Sequence, residues 1–351
     1  MTTPELYMHR CLQLAKLATG HVAPNPMVGS VLVYNDRIIG EGYHQLYGQP
    51  HAEVNCIASV KVEDRQFIED SILFVSLEPC AHFGKTPPCA DLIIKEKIKK
   101  VVIGCRDPFE LVDGKGIEKL QAAGIEVETG ILEKECIEIN KAFFTFHQQH
   151  RPFVLLKWAQ TGDGKIAGLG KNRLLITNEK TNRLVHKCRS EVQSVLVGTN
   201  TALIDDPELT TRFWPGQNPV RLVVDLNLRL PSTLKLFDGK VKTMVFNLLK
   251  KEDGDRVSFY KVSKELGLAG QILNALHHLN IQSIMVEGGT QMLQSFINEG
   301  VWDEARIITN ESLIIGNGLV APQLQNHQYI SSEQIQTDKI VTYRYHHQTN
   351  P

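Results

Sequence analysis

The chain alternates between apolar positions at helical spacing and short apolar runs closed by turn residues. A first helix is clearly punctuated: Thr3 can cap it, Pro4 suits its first turn and Gly20 can end it. Leu6, Leu14, Leu17 and Ala18 fall on one face of it. After a rigid loop at 23–29, segments 28–34 and 37–42 read as a hairpin turned at Asn35-Asp36. A helix can begin at His51 and run through Ile57. Residues 71–77 read as a buried strand that delivers Cys80 at its end, followed by a helix from 89 to about 98. Strands at 101–105 and 125–129 flank a helix at 117–123, and 133–146 is helical. Strands alternating with helices predict a three-layer α/β domain with its site at strand ends beside helix starts.

A polar stretch, Gln148-Gln149-His150-Arg151-Pro152, follows that last helix and precedes a new strand at 153–158. It divides the chain into expected domains at 1–147 and 148–351. The second half alternates again: a helix at 178–192, strands at 195–198, 221–225, 243–248 and 283–286, and helices at 268–279 and 291–299. Residues 252–264 have no clear pattern. This predicts a second α/β domain.

The composition fits two ordinary globular domains in 351 residues, 42% hydrophobic and 22% charged. A formal net charge of −1 and a pI near 6.9 argue against an extended nucleic-acid surface. The basic cluster at 95–100 reads as the solvated end of a helix and the start of a strand. Seven scattered cysteines form no disulfide framework and suit a reducing compartment. The N-terminus has neither a basic n-region nor an apolar h-region, and no apolar run is long enough to span a bilayer. The expectation is a cytoplasmic protein without membrane or nucleic-acid partners.

Candidate chemistry concentrates at His51-Ala52-Glu53, Pro79-Cys80 and Cys89. One histidine and two cysteines can hold zinc in three of four tetrahedral positions and leave the fourth for water. Glu53 is then free to move protons, the arrangement used for hydrolytic removal of an amino group. The zinc nucleobase deaminases carry H-x-E followed by P-C-x-x-C. Here eight residues separate Cys80 from Cys89 instead of two. That loop, with Gly84, Pro87 and Pro88, can still return Cys89 to the metal at the start of a helix. It also carries His82, Lys85 and Thr86, suited to a polar or phosphorylated substrate. Two plainer readings exist: a metal-free pair of buried thiols, and a closed structural zinc with His82 as fourth ligand.

In the second half, Val286-Glu287-Gly288-Gly289-Thr290 ends a strand and opens a helix. Bare glycine backbone at a helix start can receive a phosphate, or simply make a tight turn. Gly198-Thr199-Asn200-Thr201, with Asp205-Asp206-Pro207 and Arg212, can bind ribose and phosphate, or cap a helix.

Further residues join these: Pro24-Asn25-Pro26 with Val28-Gly29, Gly40-Glu41-Gly42-Tyr43-His44, Leu77-Glu78-Pro79-Cys80, Gly84-Lys85-Thr86-Pro87-Pro88-Cys89, Lys157 and Asp163-Gly164-Lys165. On them the chain resembles the bifunctional riboflavin-biosynthesis deaminase/reductase family over essentially its whole length. The long Cys80–Cys89 spacing is that family's form. The resemblance implies a cytidine-deaminase-like α/β/α domain followed by a dihydrofolate-reductase-like α/β domain. It implies deamination of 2,5-diamino-6-ribosylamino-4(3H)-pyrimidinone 5′-phosphate. NADPH-dependent reduction of the ribosyl group to ribityl follows, giving 5-amino-6-(5-phospho-D-ribitylamino)uracil.

By position, it makes His51, Cys80 and Cys89 ligands of one Zn2+ and Glu53 the proton shuttle, with Asn25, His44 and Lys85 on the substrate. In the reductase it places Arg173, Arg189, Leu209, Arg212 and Glu287 on substrate, with Lys157 near the reacting ribose. It places Ala159, Leu175, Thr201, Asp205, Leu226, Gly289, Thr290, Gln291, Met292, Leu293, Gln294 and Ser295 on NADPH. Leu175 replaces the family's commoner tryptophan, and Arg173 and Leu226 each replace a serine. A homo-oligomer is the default assembly.

Two rivals share parts of the pattern. A zinc deaminase acting on a nucleic-acid base would want a basic or aromatic surface around its pocket. A non-catalytic zinc scaffold would want a fourth protein ligand and no Glu53.

Overall fold

The computed structural model describes residues 3–84, 87–170 and 173–346. The chain divides into two compact units, Met1–His150 and Arg151–Pro351.

The first unit runs α1 (Thr3–Lys16), β1 (Gly29–Tyr34), β2 (Arg37–Tyr43), α2 (Ala52–Ala58), β3 (Ile72–Leu77), α3 (Cys89–Lys95), β4 (Lys100–Cys105), α4 (Lys115–Ala122), β5 (Glu126–Thr129), α5 (Glu133–Ile139) and α6 (Lys141–Gln149). Its sheet has the order β2-β1-β3-β4-β5, with β3, β4 and β5 parallel and β1 antiparallel to both neighbours. The β1–β2 turn uses Asn35 and Asp36 at φ 46° and 60°, the left-handed pair that matches strand twist.

Strand alternation produces the three layers. Val31 and Val33 point into a core with α1, α5 and α6, while Leu32 points into a second core with α2, α3 and α4. Both faces of the sheet are therefore covered, which is why its central strands read as continuous apolar runs.

Two details differ from the sequence expectation. Leu6 and Leu17 are 56% and 62% exposed, because the inward stripe of α1 is Met8, Cys11, Leu12 and Ala15. The single helix expected over 133–146 is two, interrupted at Asn140. The buried Asn140 side chain accepts from Met27 N–H (2.7 Å) and donates to Met27 C=O (2.9 Å). It thereby ties the helix junction to the loop before β1.

The second unit runs β6 (Phe153–Thr161), β7 (Lys165–Gly168), α7 (Glu179–Glu191), β8 (Ser194–Gly198), α8 (Thr199–Asp205), β9 (Val220–Val224), β10 (Thr243–Asn247), β11 (Val257–Lys261), α9 (Leu268–His278), β12 (Ser283–Gly288), α10 (Thr290–Asn298), β13 (Glu304–Asn310), β14 (Gly318–Val320), β15 (His327–Ile335) and β16 (Asp338–Tyr345). Nine strands form one sheet in the order β11-β10-β9-β8-β12-β6-β13-β16-β15, parallel through β13 and antiparallel thereafter.

Val154, Leu156, Trp158, Ile284 and Val286 pack with α9 and α10 on one face. Strand alternation then turns Lys157 and Glu287 to the other face, which α7 covers. The pattern had not suggested β13, β15 or β16. β15 is exposed at eight of its nine positions, so no apolar alternation marks it.

Replacing Asn140 by Ala leaves the half-buried backbone N–H and C=O of Met27 without their partner. Urea denaturation should show the first unit destabilised by roughly 2–4 kcal/mol.

Candidate active sites

β3 ends at Leu77 and the chain turns through Pro79 to place Cys80, while α2 begins just after His51 and α3 begins with Cys89. One strand end and two helix starts thus converge. His51 Nδ1 lies 3.6 Å from Cys80 Sγ and 3.4 Å from Cys89 Sγ, and all three donors lie within 4.8 Å of one another. Zinc bonds of about 2.0–2.1 Å to nitrogen and 2.3 Å to sulfur imply N···S edges of about 3.5–3.6 Å in a tetrahedron. The donors fit the ion in kind and spacing. Cys89 N–H also donates to Cys80 Sγ at 3.4 Å, the kind of outer contact that orients a thiolate ligand. The Cys89 thiol hydrogen bond, helped by His51, holds Cys80 near 4 against burial, while the same bond and burial push Cys89 up.

His82 is not in this donor group, so among the described residues the set is three-membered and open. Its ring lies 6.0 Å from that of Phe109. Glu53 is 3% exposed, and burial raises its carboxyl to about 7 although His51 pulls the other way. Burial thus keeps the carboxyl beside the metal donors readier to hold a proton than an exposed glutamate.

Asn25 and His44 meet at the same place. His44 Nδ1 lies 3.1 Å from Pro50 C=O, which can only accept, so that nitrogen carries the proton. Nε2 then accepts from Asn25 Nδ2 at 3.1 Å. Burial lowers the His44 pKa, and its ring stands edge-on to His51 at 5.3 Å. Lys85 lies outside the described residues, as does Thr86.

Two acidic residues were not singled out from the sequence. Asp107 is 6% exposed, and burial raises its carboxyl to about 7, with Glu78 and Cys80 nearby. Glu78, 4% exposed, accepts four backbone N–H bonds, from Asp107, Gly114, Gly116 and Ile117. The available signal was position: Glu78 immediately precedes Pro79-Cys80.

In the second unit Glu287, at the end of β12, is the centre. Arg189 on α7 grips it with two bonds, Nε–Oε1 at 2.6 Å and Nη2–Oε2 at 2.8 Å, and Lys157 Nζ stands 3.8 Å away. Burial opposes ionisation, but Arg189 and Lys157 overcome it and hold Glu287 at about 2. Arg189 Nη1 donates to Thr210 C=O at 3.2 Å. His186, one turn earlier on α7, is 1% exposed and meets the Phe213 ring edge-on at 4.8 Å. Burial, then Arg189 and Arg212, depress it to about 4. It is a third residue that sequence reasoning missed, its one clue being helical spacing from Arg189.

The remaining positions separate. Leu209 is buried at φ 51°, and Arg212 lies over the Phe213 ring at 4.9 Å. Asp205, raised by burial, feels Arg173. Thr201 abuts Gly288 and Gly289, and Gly289 at φ 61° is the N-cap of α10. That leaves bare backbone at a helix start, suited to a phosphate of a dinucleotide. Ala159 lies on β6 opposite Ile308 of β13. Met292 and Leu293 lie within the core, and the partly buried Leu226 packs against it. Gln294 bonds Asn298 and Gln323, Ser295 bonds Met292 C=O, and Thr290 bonds Val320 C=O. Leu175 is 74% exposed, and Gln291 is exposed on α10.

Fold and site together define a zinc-dependent deaminase joined to a dihydrofolate-reductase-like unit. Residues 1–105 match the cytidine and deoxycytidylate deaminase zinc-binding region, and residues 152–343 match the RibD C-terminal domain. The riboflavin biosynthesis protein RibD of Aquifex aeolicus is 42% identical over 89% of this chain and 88% of its own. That of Bacillus amyloliquefaciens is 37% identical over 96% and 90%. The crystal structure of a diaminohydroxyphosphoribosylaminopyrimidine deaminase/5-amino-6-(5-phosphoribosylamino)uracil reductase from Thermotoga maritima superposes with a TM-score of 0.89. It is 36% identical and covers 98% of this chain and 99% of that one. The chain belongs to the RibD family of bifunctional riboflavin-biosynthesis deaminase/reductases.

The Glu287 cluster sets an acid limit on the second unit. With its folded pKa at about 2 against an ordinary 4.5, Glu287 adds stability above about pH 4.5 that is lost as pH falls toward 2. His186, depressed from 6.5 to about 4, loses its contribution earlier, between those values. Stability measured from pH 7 to 2 should fall in both windows; Glu287→Gln should flatten the lower one and, because Glu287 holds His186 up, deepen the upper one.

Proposed function

We propose that this chain catalyses two consecutive steps of riboflavin biosynthesis. The first is deamination of 2,5-diamino-6-ribosylamino-4(3H)-pyrimidinone 5′-phosphate, and the second is reduction of the ribosyl product to the ribityl compound with NADPH. The observation that carries the reading is the buried Glu53, at about 7, beside the open donor set His51, Cys80 and Cys89. Zinc held by those donors supplies a water made reactive at neutral pH. Glu53 takes the proton of that water and delivers it to the departing amine, work for which a carboxyl near neutrality is matched. Asn25 and His44 orient the pyrimidine, their hydrogen bond leaving the second amide proton and the oxygen of Asn25 free to face it. Lys85 is assigned to substrate by resemblance alone.

In the second unit NADPH supplies the hydride for the sugar's C1 carbon. Arg212 suits the 5′-phosphate, because guanidinium can pair with it through two parallel bonds; Arg189, its fork held by Glu287 and Thr210, is placed on the substrate side by resemblance. Glu287 fixes Arg189 and Lys157, and Lys157 stands at the reacting ribose. Arg173 and Leu209 complete the substrate side. Thr201, Asp205, Ala159, Leu175, Leu226 and residues 289–295 form the cofactor side, with Met292, Leu293 and Leu226 acting through backbone and shape. We place the enzyme in the cytoplasm as a homo-oligomer; no helix among the described residues is long and apolar enough to cross a membrane.

A paired assay tests the order of steps. Ammonia release should precede NADPH oxidation, and a zinc chelator should stop the first while sparing reduction of the preformed deaminated intermediate. Ammonia without NADPH oxidation would confine the activity to the first unit.

Glu53→Gln should lower deamination at least 100-fold while bound zinc, by metal analysis, and reductase turnover stay at wild-type levels. Zinc loss from this variant would count against the proton-shuttle role.

A further inference from the structure

We propose that Glu78 is a positioning residue of the deaminase site, bracing both cysteine ligands through α4. The inference rests on the zinc reading of that site. Glu78 follows β3 two residues before Cys80, and its carboxylate reaches the start of α4. α4 begins after Gly114, which has no side chain to cap it. Glu78 does the capping from another element: Oε1 accepts from Gly116 (2.9 Å) and Ile117 (3.2 Å), Oε2 from Gly114 (3.0 Å). A carboxylate at a helix N-terminus is favoured by the unpaired N–H groups there and by the helix dipole.

Two contacts convert this cap into a brace. Gly116 packs directly against Pro79 C=O, where any Cβ would collide with backbone. The residue before Cys80 is thereby held by the same helix that Glu78 holds. On its next turn α4 presents Lys119 to Asp91, two residues into the helix that starts with Cys89. One carboxylate thus connects the turn of the first cysteine to the helix of the second. Its fourth bond, from Asp107 N–H at 3.2 Å, fixes the loop that carries Asp107. Outer contacts of this kind typically change metal affinity or activity 10–100-fold when removed.

The test is Glu78→Gln, which places an amide donor against two N–H groups. Release of zinc to a chelator should accelerate at least 10-fold. The thiolate charge-transfer bands of the cobalt-substituted protein should shift. Deamination kcat/KM should fall 10–100-fold, while the reductase step on the deaminated intermediate stays within 2-fold. A purely structural cap predicts a lower melting temperature with unchanged zinc release and cobalt spectrum, and that result overturns the proposal. Should Glu78→Gln not fold, Lys119→Met keeps the carboxylate cap and breaks only the link from α4 to Asp91. Faster zinc release supports the brace, and wild-type release overturns it. Zinc release and the cobalt spectrum need no substrate, so a wild-type protein that releases no ammonia would sink the substrate assignment without touching this one.

Discussion

Taking a carboxylate out of water costs several kcal/mol unless hydrogen bonds or opposite charge replace its hydration. Three buried glutamates meet that constraint in three ways here. Glu287 is answered by charge, gripped by Arg189 with Lys157 beside it, and stays ionised to about pH 2. Glu78 is answered by backbone, with four N–H groups from a loop and a helix start. Glu53 has His51 and the Cys89 thiol beside it, too little to offset burial, and rises to about 7. The first is a fixed anion, the second a fastener and the third a proton carrier, and surroundings alone separate them.

The sheets explain why these groups lie where they do. Strands covered on both faces must be apolar through their length, so polar chemistry is displaced to their ends. β3 ends at Leu77, with Glu78, Pro79 and Cys80 just beyond it, and β12 ends at Glu287 and Gly288. Strand alternation adds the second selection. Leu156 and Val286 enter the α9–α10 core, so Lys157 and Glu287, one step on, must face α7 and Arg189.

Both sites also need partners from distant parts of the chain. The metal donors come from residues 51, 80 and 89, each at the end of an element already held by a packed core. The arginine that neutralises Glu287 arrives from a helix 98 residues earlier.

Much of this was legible in the chain. His51, Glu53, Cys80 and Cys89 declared themselves because zinc chemistry restricts residue types and local spacing, and Asn35-Asp36 because a tight hairpin demands left-handed residues. Regular apolar periodicity marked most helices and buried strands. Periodicity was silent where solvent covers the element, as in β15, and misleading in α1, where Leu6 and Leu17 face out. It could not reveal that Asn140 breaks a helix to bind Met27, since nothing local requires that pairing. Nor could it separate the roles of Glu53, Glu78 and Glu287, which are the same residue in sequence. Local chemistry and period are written in neighbouring residues, so the chain by itself determined the donor set and the layered architecture. Which carboxylate is clamped by charge, which caps a helix and which is left to carry a proton depends on groups remote in sequence, and only the tertiary structure decided it.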